Sequence, residues 1–318
     1  MSRPLRHVVI LGGGSAGWLT AALLAADHDS ASPTGLRVTL IESPDVPTIG
    51  VGEGTWPTMR DTLRRVGVSE TDFVRACDAT FKQGSKFARW THDRADDHYH
   101  HPFVLPQGYH DADLVAGWMQ HGDVPFDRLV SFQPQLCDAG RAPKQFGTPE
   151  YAAVANYAYH LDAAKLGLFL RAQCTQRLGV RLVSDHVEGV GVHDSGDIAA
   201  LRTRAHGAID GDLFVDCTGL RGLLIGQHYG VEKTACGDVL FNDRALALQV
   251  RYPNADTPIA CQTISTAQAN GWIWDIGLSA RRGVGHVYSS AHTDADAVEA
   301  ALQRYIADTG GADCEIIA

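Results

Sequence analysis

The chain lacks the marks of several large protein classes. It has no CxxC pair: its seven cysteines (Cys77, Cys137, Cys174, Cys217, Cys236, Cys261 and Cys314) stand singly, so neither a zinc knuckle nor a disulfide framework is expected. A reducing, cytoplasmic setting is the default for such usage. Basic residues are the minority, 27 Lys and Arg against 37 Asp and Glu, for a net charge of −10, which argues against a nucleic-acid binder. No apolar run reaches the roughly 18 residues of a membrane-spanning helix. The opening "MSRPLRHVVILGGG" has too short an apolar run for a signal peptide and leads directly into glycines. The histidine cluster "HYHHPF" (98–103) comes without an HxxxH or HExxH spacing, so no metal site is expected. Repeats and low-complexity tracts are missing as well.

What is present begins at residue 7. With 318 residues, 45% of them hydrophobic and 20% charged, the chain can bury one large core or two ordinary ones. Val8–Leu11 is a short aliphatic run of the kind buried in a parallel sheet. Gly12, Gly14 and Gly17 follow in GxGxxG spacing, and Ser15 to Ala26 reads as a helix rich in alanine and leucine. After the polar loop "DHDSASPTG", the strand "LRVTLIES" carries Glu42 at its end. In such a unit the first glycine permits a tight turn, the second lets a pyrophosphate approach the backbone, and the third lets helix and strand pack closely. The helix N-terminus offers its N–H groups to the phosphates, and Glu42 is placed to accept from a ribose hydroxyl. A bare strand–helix turn would not need that terminal acid. The expectation is a Rossmann-like α/β dinucleotide-binding fold.

The segments beyond are less regular. "SPDVPTIGVGEGTWPTM" is either a surface linker or a loop whose glycines allow backbone to lie against a flat cofactor. "FKQGSKFARW" (81–90) reads as a helix, Phe81 and Trp90 inward and Lys82 and Lys86 extended to solvent. Tyr157–Cys174 also has helical spacing. Residues 179–219 read as a β-meander whose last strand, Leu213–Cys217, runs into the glycine turn "TGLRG". "FNDRALALQV", "GWIWDIGL" and "GVGHVYSS" alternate as strands of a sheet region. Trp272 and Trp274, two apart, share one strand face, where an aromatic pair is commonly core. His101 taken alone reads as a surface histidine.

In order along the chain, "GGGSAGW" (12–18), "GVGEGTWPT" (50–58), "CDATFKQGSKFARW" (77–90), "HHPF" (100–103), "YHLDA" (159–163), "DLFVDCTGLRGLL" (212–224), "FNDRA" (241–245), "GWIWDI" (271–276) and "GHVYSS" (285–290) resemble the flavin-dependent tryptophan halogenases. WxWxI is the most specific of these motifs. The resemblance implies an FAD-binding fold similar to that of the aromatic hydroxylases, with an inserted β-meander and a mixed sheet and helical substrate region. It implies one unit over 1–318, with FAD-binding parts 1–57 and 175–230 and substrate parts 58–174 and 231–318. Carried over by position, Gly12, Gly14, Ser15, Ala16 and Gly17 face the pyrophosphate and Glu42 the ribose. Val51, Gly52, Glu53, Gly54 and Thr55 lie in the flavin region, Val187 contacts the adenosine part, and Thr218 and Gly219 end a strand that returns to the cofactor. Lys82 falls on the family's catalytic lysine. His101 and Phe103 fall on residues that hold the aromatic substrate, and Trp272 and Trp274 on the signature that separates halogenases from monooxygenases. Lys82 is then expected inside, Lys86 at the surface.

The implied chemistry uses FADH2, O2 and chloride or bromide to make hypohalous acid, which Lys82 guides to an electron-rich aromatic such as an indole or tryptophan derivative. No second glycine-turn unit for NADH follows, so a separate flavin reductase is the expected partner; monomer and homodimer are both open. Three positions depart from the family pattern: Gly277 replaces a usual proline, and Gly54 and Trp56 stand where small or aliphatic residues are common. "GADCEIIA" reads as a strand in progress, and the expectation is a fragment lacking a C-terminal part. An aromatic monooxygenase and a non-catalytic FAD-binding homologue remain the alternatives.

Overall fold

A computed structural model describes residues 4–46, 52–120 and 122–311; the expected flavin contact of Val51 lies outside them. The chain divides into two units, one of residues 1–49, 62–76 and 163–234, the other of 50–61, 77–162 and 235–318.

The first unit is built on a parallel sheet. Strand β1 (His7–Leu11) is buried along its whole length and pairs with β2 (Arg37–Glu42) on one side and β12 (Leu213–Asp216) on the other. With β8 (Arg181–Ser184) beyond β2, the order is β12-β1-β2-β8. Continuous aliphatic runs suit strands covered on both faces. Helix α1 (Ser15–Asp27) turns Trp18, Ala21, Ala22 and Ala25 inward, and the small alanines allow close packing by α7 (Ala163–Gln176), whose Cys174 thiol donates to the Trp18 carbonyl at 3.7 Å. Phe73 of α3 (Glu70–Ala76) meets Phe169 of α7 edge-on. The meander is narrower than the sequence suggests: only β9 (Val187–Val192), β10 (Ile198–Thr203) and β11 (Gly207–Asp210) form it. β8 and β12 join the parallel sheet, because Leu182 and Val183 pair with Leu40 and Ile41, and Val215 pairs with Ile10. Val9, Leu11, Ile41, Val183, Leu201, Ile209 and Leu224 form one core under both sheets.

The second unit holds a six-stranded sheet in the order β13-β16-β15-β14-β5-β6. Its strands are β5 (Gly84–Ala88), β6 (His98–Pro102), β13 (Arg244–Arg251), β14 (Thr263–Gln268), β15 (Gly271–Gly277) and β16 (Arg281–Tyr288), with only β14 and β5 parallel. Helix α8 (Ala295–Ile306), capped by the Asp294 carboxylate, lays Leu302 and Ile306 on Val250, Ile273 and Val284. A small sheet of β3 (Glu53–Gly54), β7 (Ala158–Leu161) and β4 (Thr80–Lys82) stands beside it in the order β3-β7-β4. Short helices α4 (Leu114–Met119), α5 (Phe126–Val130) and α6 (Gln133–Asp138) link β6 to β7, and α2 (Thr58–Arg65) carries the chain from the second unit into the first. The loop around 52–57 thus belongs to the second unit and α7 to the first.

Two expected helices are replaced. Residues 81–88 fall in β4 and β5, which break at Gln83; Gly84 opens β5, and its φ of 146° and closeness to the His101 carbonyl admit no side chain. Neighbouring strands supply the backbone partners, and that overrides a helical side-chain spacing. Tyr157–Cys174 splits into β7 and α7 for the same reason, since Ala158–Lys82 and His160–Gly54 are ladder pairs.

Trp272 and Trp274 do share one face of β15, their rings 6.3 Å apart. Trp274 lies over Gly285 of β16, where a Cβ would come within 2.1 Å of the indole. Gly285→Ala should therefore lower stability by about 1–3 kcal/mol through forced repacking. A urea midpoint unchanged from wild type would show that the indole does not rest there.

Candidate functional site

In the first unit the glycine turn is fixed from both sides. The Gly12 N–H donates to Ile41 of β2 at 2.9 Å, and the Cys217 N–H donates to Leu11 of β1 at 2.8 Å. Gly12 has φ of 115°, and a Cβ there would sit 2.2 Å from the Cys217 carbonyl. A Cβ on Gly17 would sit 1.9 Å from the Gly12 carbonyl. These two glycines are therefore required by the fold itself. Gly14 differs: it is exposed, it caps α1 with no side-chain hydrogen bond, and no atom lies within 4 Å of the place its Cβ would take. Ser15 and Ala16 open the helix beside it. The open, uncapped N-terminus of α1 is what a pyrophosphate requires, so the residues present fit a dinucleotide such as FAD.

Glu42 ends β2 against Gly13, where a Cβ would meet its carboxylate at 2.3 Å, and it pairs with Arg171 of α7 at 3.2 Å. Val187 begins β9, pairs with Thr203 of β10 and packs on the core of the first unit. The turn after β12 is organised by a residue the sequence reading passed over. The Asp216 carboxylate accepts from the N–H groups of Thr218, Leu224 and Ile225 and from the Thr218 hydroxyl. These hydrogen bonds hold the Asp216 carboxyl below its ordinary range despite partial burial. Thr218 in turn accepts from Leu223, and Gly219 takes φ of 62° in open space. The sequence signal was available as an Asp two residues before a Thr-Gly turn.

In the second unit, Lys82 is 7% exposed at the end of β4. Its amine has no carboxylate partner among the described residues, and burial pushes its pKa down to about 8. The rings of Phe103 and Trp56 stand 5.5 and 5.7 Å from its Nζ. Trp56 is tilted on Phe103 at 5.4 Å and meets His101 edge-on at 6.0 Å. Lys82, His101 and Phe103, far apart in sequence, are thus assembled into one aromatic-lined site. Phe103 is held there from behind: the buried amide of Gln133 accepts from the Phe103 and Val104 N–H groups, and Asn156 donates to the Phe103 carbonyl.

The floor of the site was not foreseen. His160 of β7 is fully buried, its Nε2 2.8 Å from the Thr263 hydroxyl of β14. Burial, reinforced by the nearby Lys82, pushes its pKa down to about 3, which keeps it neutral. Gly54 lies against all three groups; a Cβ there would be 3.0 Å from Lys82 Nζ, 3.4 Å from Thr263 Oγ1 and 3.5 Å from the His160 ring. Glycine at this departure from the family pattern leaves the amine room to move. Gly52, with φ of 123°, is backed by Ile276 and Leu278, Glu53 pairs with Leu161, and the Thr55 backbone and hydroxyl both bond Tyr159. Trp272 and Trp274 are not drawn in: their ring contacts are with each other and with Trp90. Lys86 is half-buried rather than at the surface, 3.7 Å from Asp138, which also pairs with His100 and Arg128. Among the described residues no cluster of His, Cys, Asp and Glu is set to hold a metal, and no helix is long and apolar enough to cross a membrane.

The Lys82 pKa has a direct test. Reductive methylation with 13C gives each lysine an NMR signal. One signal should titrate near pH 8, against about 10.4 for ordinary lysines, and vanish in Lys82→Met. Titration of every signal above pH 9.5 would contradict the unpaired burial.

A parallel sheet with a glycine turn opening onto a helix is the Rossmann-like class of fold, here joined to a second unit that buries the Lys82 amine beside aromatic rings. Within that class, the chain belongs to the tryptophan halogenase family, whose profile matches residues 7–315. It is similar to a tryptophan 6-halogenase of Streptomyces toxytricini, SttH, with 37% identity over 94% of this chain and 60% of that protein. Among solved structures it resembles a tryptophan halogenase of Shewanella frigidimarina, with 48% identity and a TM-score of 0.92 over 99% of this chain and 62% of that one. It also resembles a flavin-dependent halogenase of Xanthomonas campestris, with 36% identity and a TM-score of 0.83 over 95% and 59%. The chain spans about three-fifths of the length of these relatives.

Proposed function

We propose that the chain acts in flavin-dependent halogenation of an electron-rich aromatic, an indole or tryptophan derivative, with FADH2, O2 and chloride or bromide. The observation that carries this reading is the buried amine of Lys82, without a carboxylate partner among the described residues and set beside two aromatic rings. Gly14 and the first turn of α1 would hold the FAD pyrophosphate, with Glu42 at the ribose. FAD, when bound and reduced, supplies the electrons with which oxygen turns halide into hypohalous acid. The protein's part is to bind and aim that acid.

Lys82 does the aiming. With its pKa about 8, the amine is mostly ammonium at neutral pH and donates a hydrogen bond to the oxygen of hypohalous acid. Its neutral fraction, about a tenth at pH 7, can instead take the halogen as an N–halo amine. Both hold a small oxidant against a ring, which is catalysis by proximity and orientation. Neutral His160 and Thr263 adjoin the amine without adding charge. Phe103 and Trp56, with His101 at the edge, offer faces on which a flat aromatic substrate stacks.

The test is mass spectrometry of indole and tryptophan incubated with the protein, a flavin reductase, FAD, NADH and bromide. A brominated product is expected. A hydroxylated product would make the chain a monooxygenase, and no product would reduce it to a flavin binder. NADH and FAD without the reductase should leave the flavin oxidised, because the sequence carries only one glycine-turn unit. Rapid bleaching under those conditions would point to a nicotinamide site of its own.

A further inference from the structure

The Lys82 amine has the surroundings of a nucleophile toward carbon as well as toward halogen. It is buried, with no carboxylate among the described residues to hold it as the cation, and burial disfavours the charged form. With its pKa about 8, about a tenth of it is free base at pH 7. The chain's other lysines are Lys86, Lys144, Lys165 and Lys233; Lys86 lies 3.7 Å from the Asp138 carboxylate, and Lys233 donates to the Leu220 carbonyl at 2.7 Å. Around Lys82 the rings of Phe103 and Trp56 stand 5.5 and 5.7 Å from Nζ and 5.4 Å from each other. Trp56 is exposed and Phe103 half-buried, so the ring side of the site reaches solvent. On the other side Gly54 keeps any side chain off the amine; the place its Cβ would take is 3.0 Å from Nζ and 3.4 Å from Thr263 Oγ1. The amine thus has a hydroxyl close by and aromatic faces at its mouth.

We propose that Lys82 is an imine-forming site for aromatic aldehydes, a covalent binding activity separate from halogenation. It rests on the geometry of the Lys82 pocket and needs neither flavin nor halide. A lysine buried in an apolar pocket gives up its proton readily and becomes a Schiff-base nucleophile. The neutral Nζ attacks the aldehyde carbon: a C–N bond forms, the carbonyl π pair moves to oxygen, and a proton passes from nitrogen to that oxygen. The carbinolamine then loses its hydroxyl with the second nitrogen proton as water, and the C=N bond forms. Nothing is oxidised or reduced. The Thr263 hydroxyl, 2.8 Å from His160 Nε2, offers a hydrogen bond to the departing oxygen, and neutral His160 adds no charge beside it. The pocket favours an aromatic aldehyde over an aliphatic one. Aromatic rings pair with their centres about 4.5–7 Å apart, and an aryl group one carbon from Nζ can reach that range of both Phe103 and Trp56.

The experiment incubates the full chain at pH 7, without flavin or reductase, with benzaldehyde or with propanal, each in the presence of cyanoborohydride, which reduces the imine to a stable amine. Peptide mapping by mass spectrometry follows modification at Lys82, at the other four lysines and at the α-amine. The α-amine is the reference for free-base chemistry, because its ordinary pKa of about 8 matches that of Lys82. The ratio of benzaldehyde to propanal labelling should be at least about fivefold higher at Lys82 than at the α-amine, and the other four lysines should stay largely unmodified. Phe103→Leu should lower benzaldehyde labelling of Lys82 about fivefold and leave propanal labelling within about twofold, a split that a general loosening of the fold would not give. Lys82 left unmodified in the folded protein while the α-amine reacts, or labelled with the same aldehyde preference as the α-amine, would overturn the proposal. Benzyl-labelled Lys82 in a protein that yields no brominated indole would support the imine site and count against the halogenase reading alone. Unlabelled Lys82 in a protein that brominates indole would overturn the imine site and leave that reading standing.

Discussion

Lys82→Met should abolish halogenation while leaving flavin binding and flavin reoxidation by oxygen intact. On the proposed reading those two steps rest on the glycine turn and the Asp216-anchored loop, which are parts of the first unit. The oxidant would still be made but not delivered. The paired measurement is reoxidation by absorbance and halogenated indole by mass spectrometry, with Lys86→Met as the control because Lys86 pairs with Asp138 away from Nζ of Lys82. The same variant carries a stability signature. In the folded protein Lys82 binds its proton less tightly than in the unfolded chain, so between about pH 8 and about 10.4 the unfolded state holds more protons and stability rises with pH. The penalty is present in full below pH 8 and absent above pH 10.4. Methionine removes it, so Lys82→Met should be more stable at pH 7, by up to roughly 3 kcal/mol, and the gain should vanish at high pH. Undiminished halogenation by Lys82→Met would remove the amine from the mechanism. A loss of stability at pH 7 would mean that the amine has a charged partner.

Gly14→Val should fold and lose FAD. The Cβ enters open space and the backbone is extended, with φ of −75° and ψ of −177°, so the cost to folding should stay within about 1 kcal/mol. The side chain would stand where a pyrophosphate must approach, and affinity for FAD should fall at least about 100-fold, or about 2.7 kcal/mol. Gly17→Val makes the instructive contrast. Its Cβ would press on the Gly12 carbonyl at 1.9 Å, and it should lower stability by about 3 kcal/mol or more through forced backbone shifts. Circular dichroism and flavin fluorescence titration separate the two variants. A yellow, flavin-replete Gly14→Val protein would refute the placement of the pyrophosphate at α1.

Much of the first unit is legible from residues 7–42 because the pattern is local. A buried strand, a turn that only glycine can make, and a helix whose alanines let it lie close are decided within 21 residues, from His7 to Asp27. The strands β13 and β15 were equally readable from their alternation. The segment 81–90 was not. Its spacing fits a helix, and its strands exist because β7, β6 and β14 offer partners from residues 158–161, 98–102 and 263–266. The candidate site has the same character. The resemblance supplied Lys82, His101 and Phe103, whereas Thr263 carries no sequence mark and His160 lies inside a stretch that spacing alone reads as helix.

The sequence by itself determined the glycine turn, the acidic end of β2 and the family. Each is written in adjacent residues whose backbone geometry or order admits few alternatives. The tertiary structure alone decided that Lys82 is buried with no carboxylate partner among the described residues, and that Gly54 and His160 form its floor. Burial and proximity across more than a hundred residues are properties of packing, and a pKa moved by desolvation exists only once the strands that exclude water have come together.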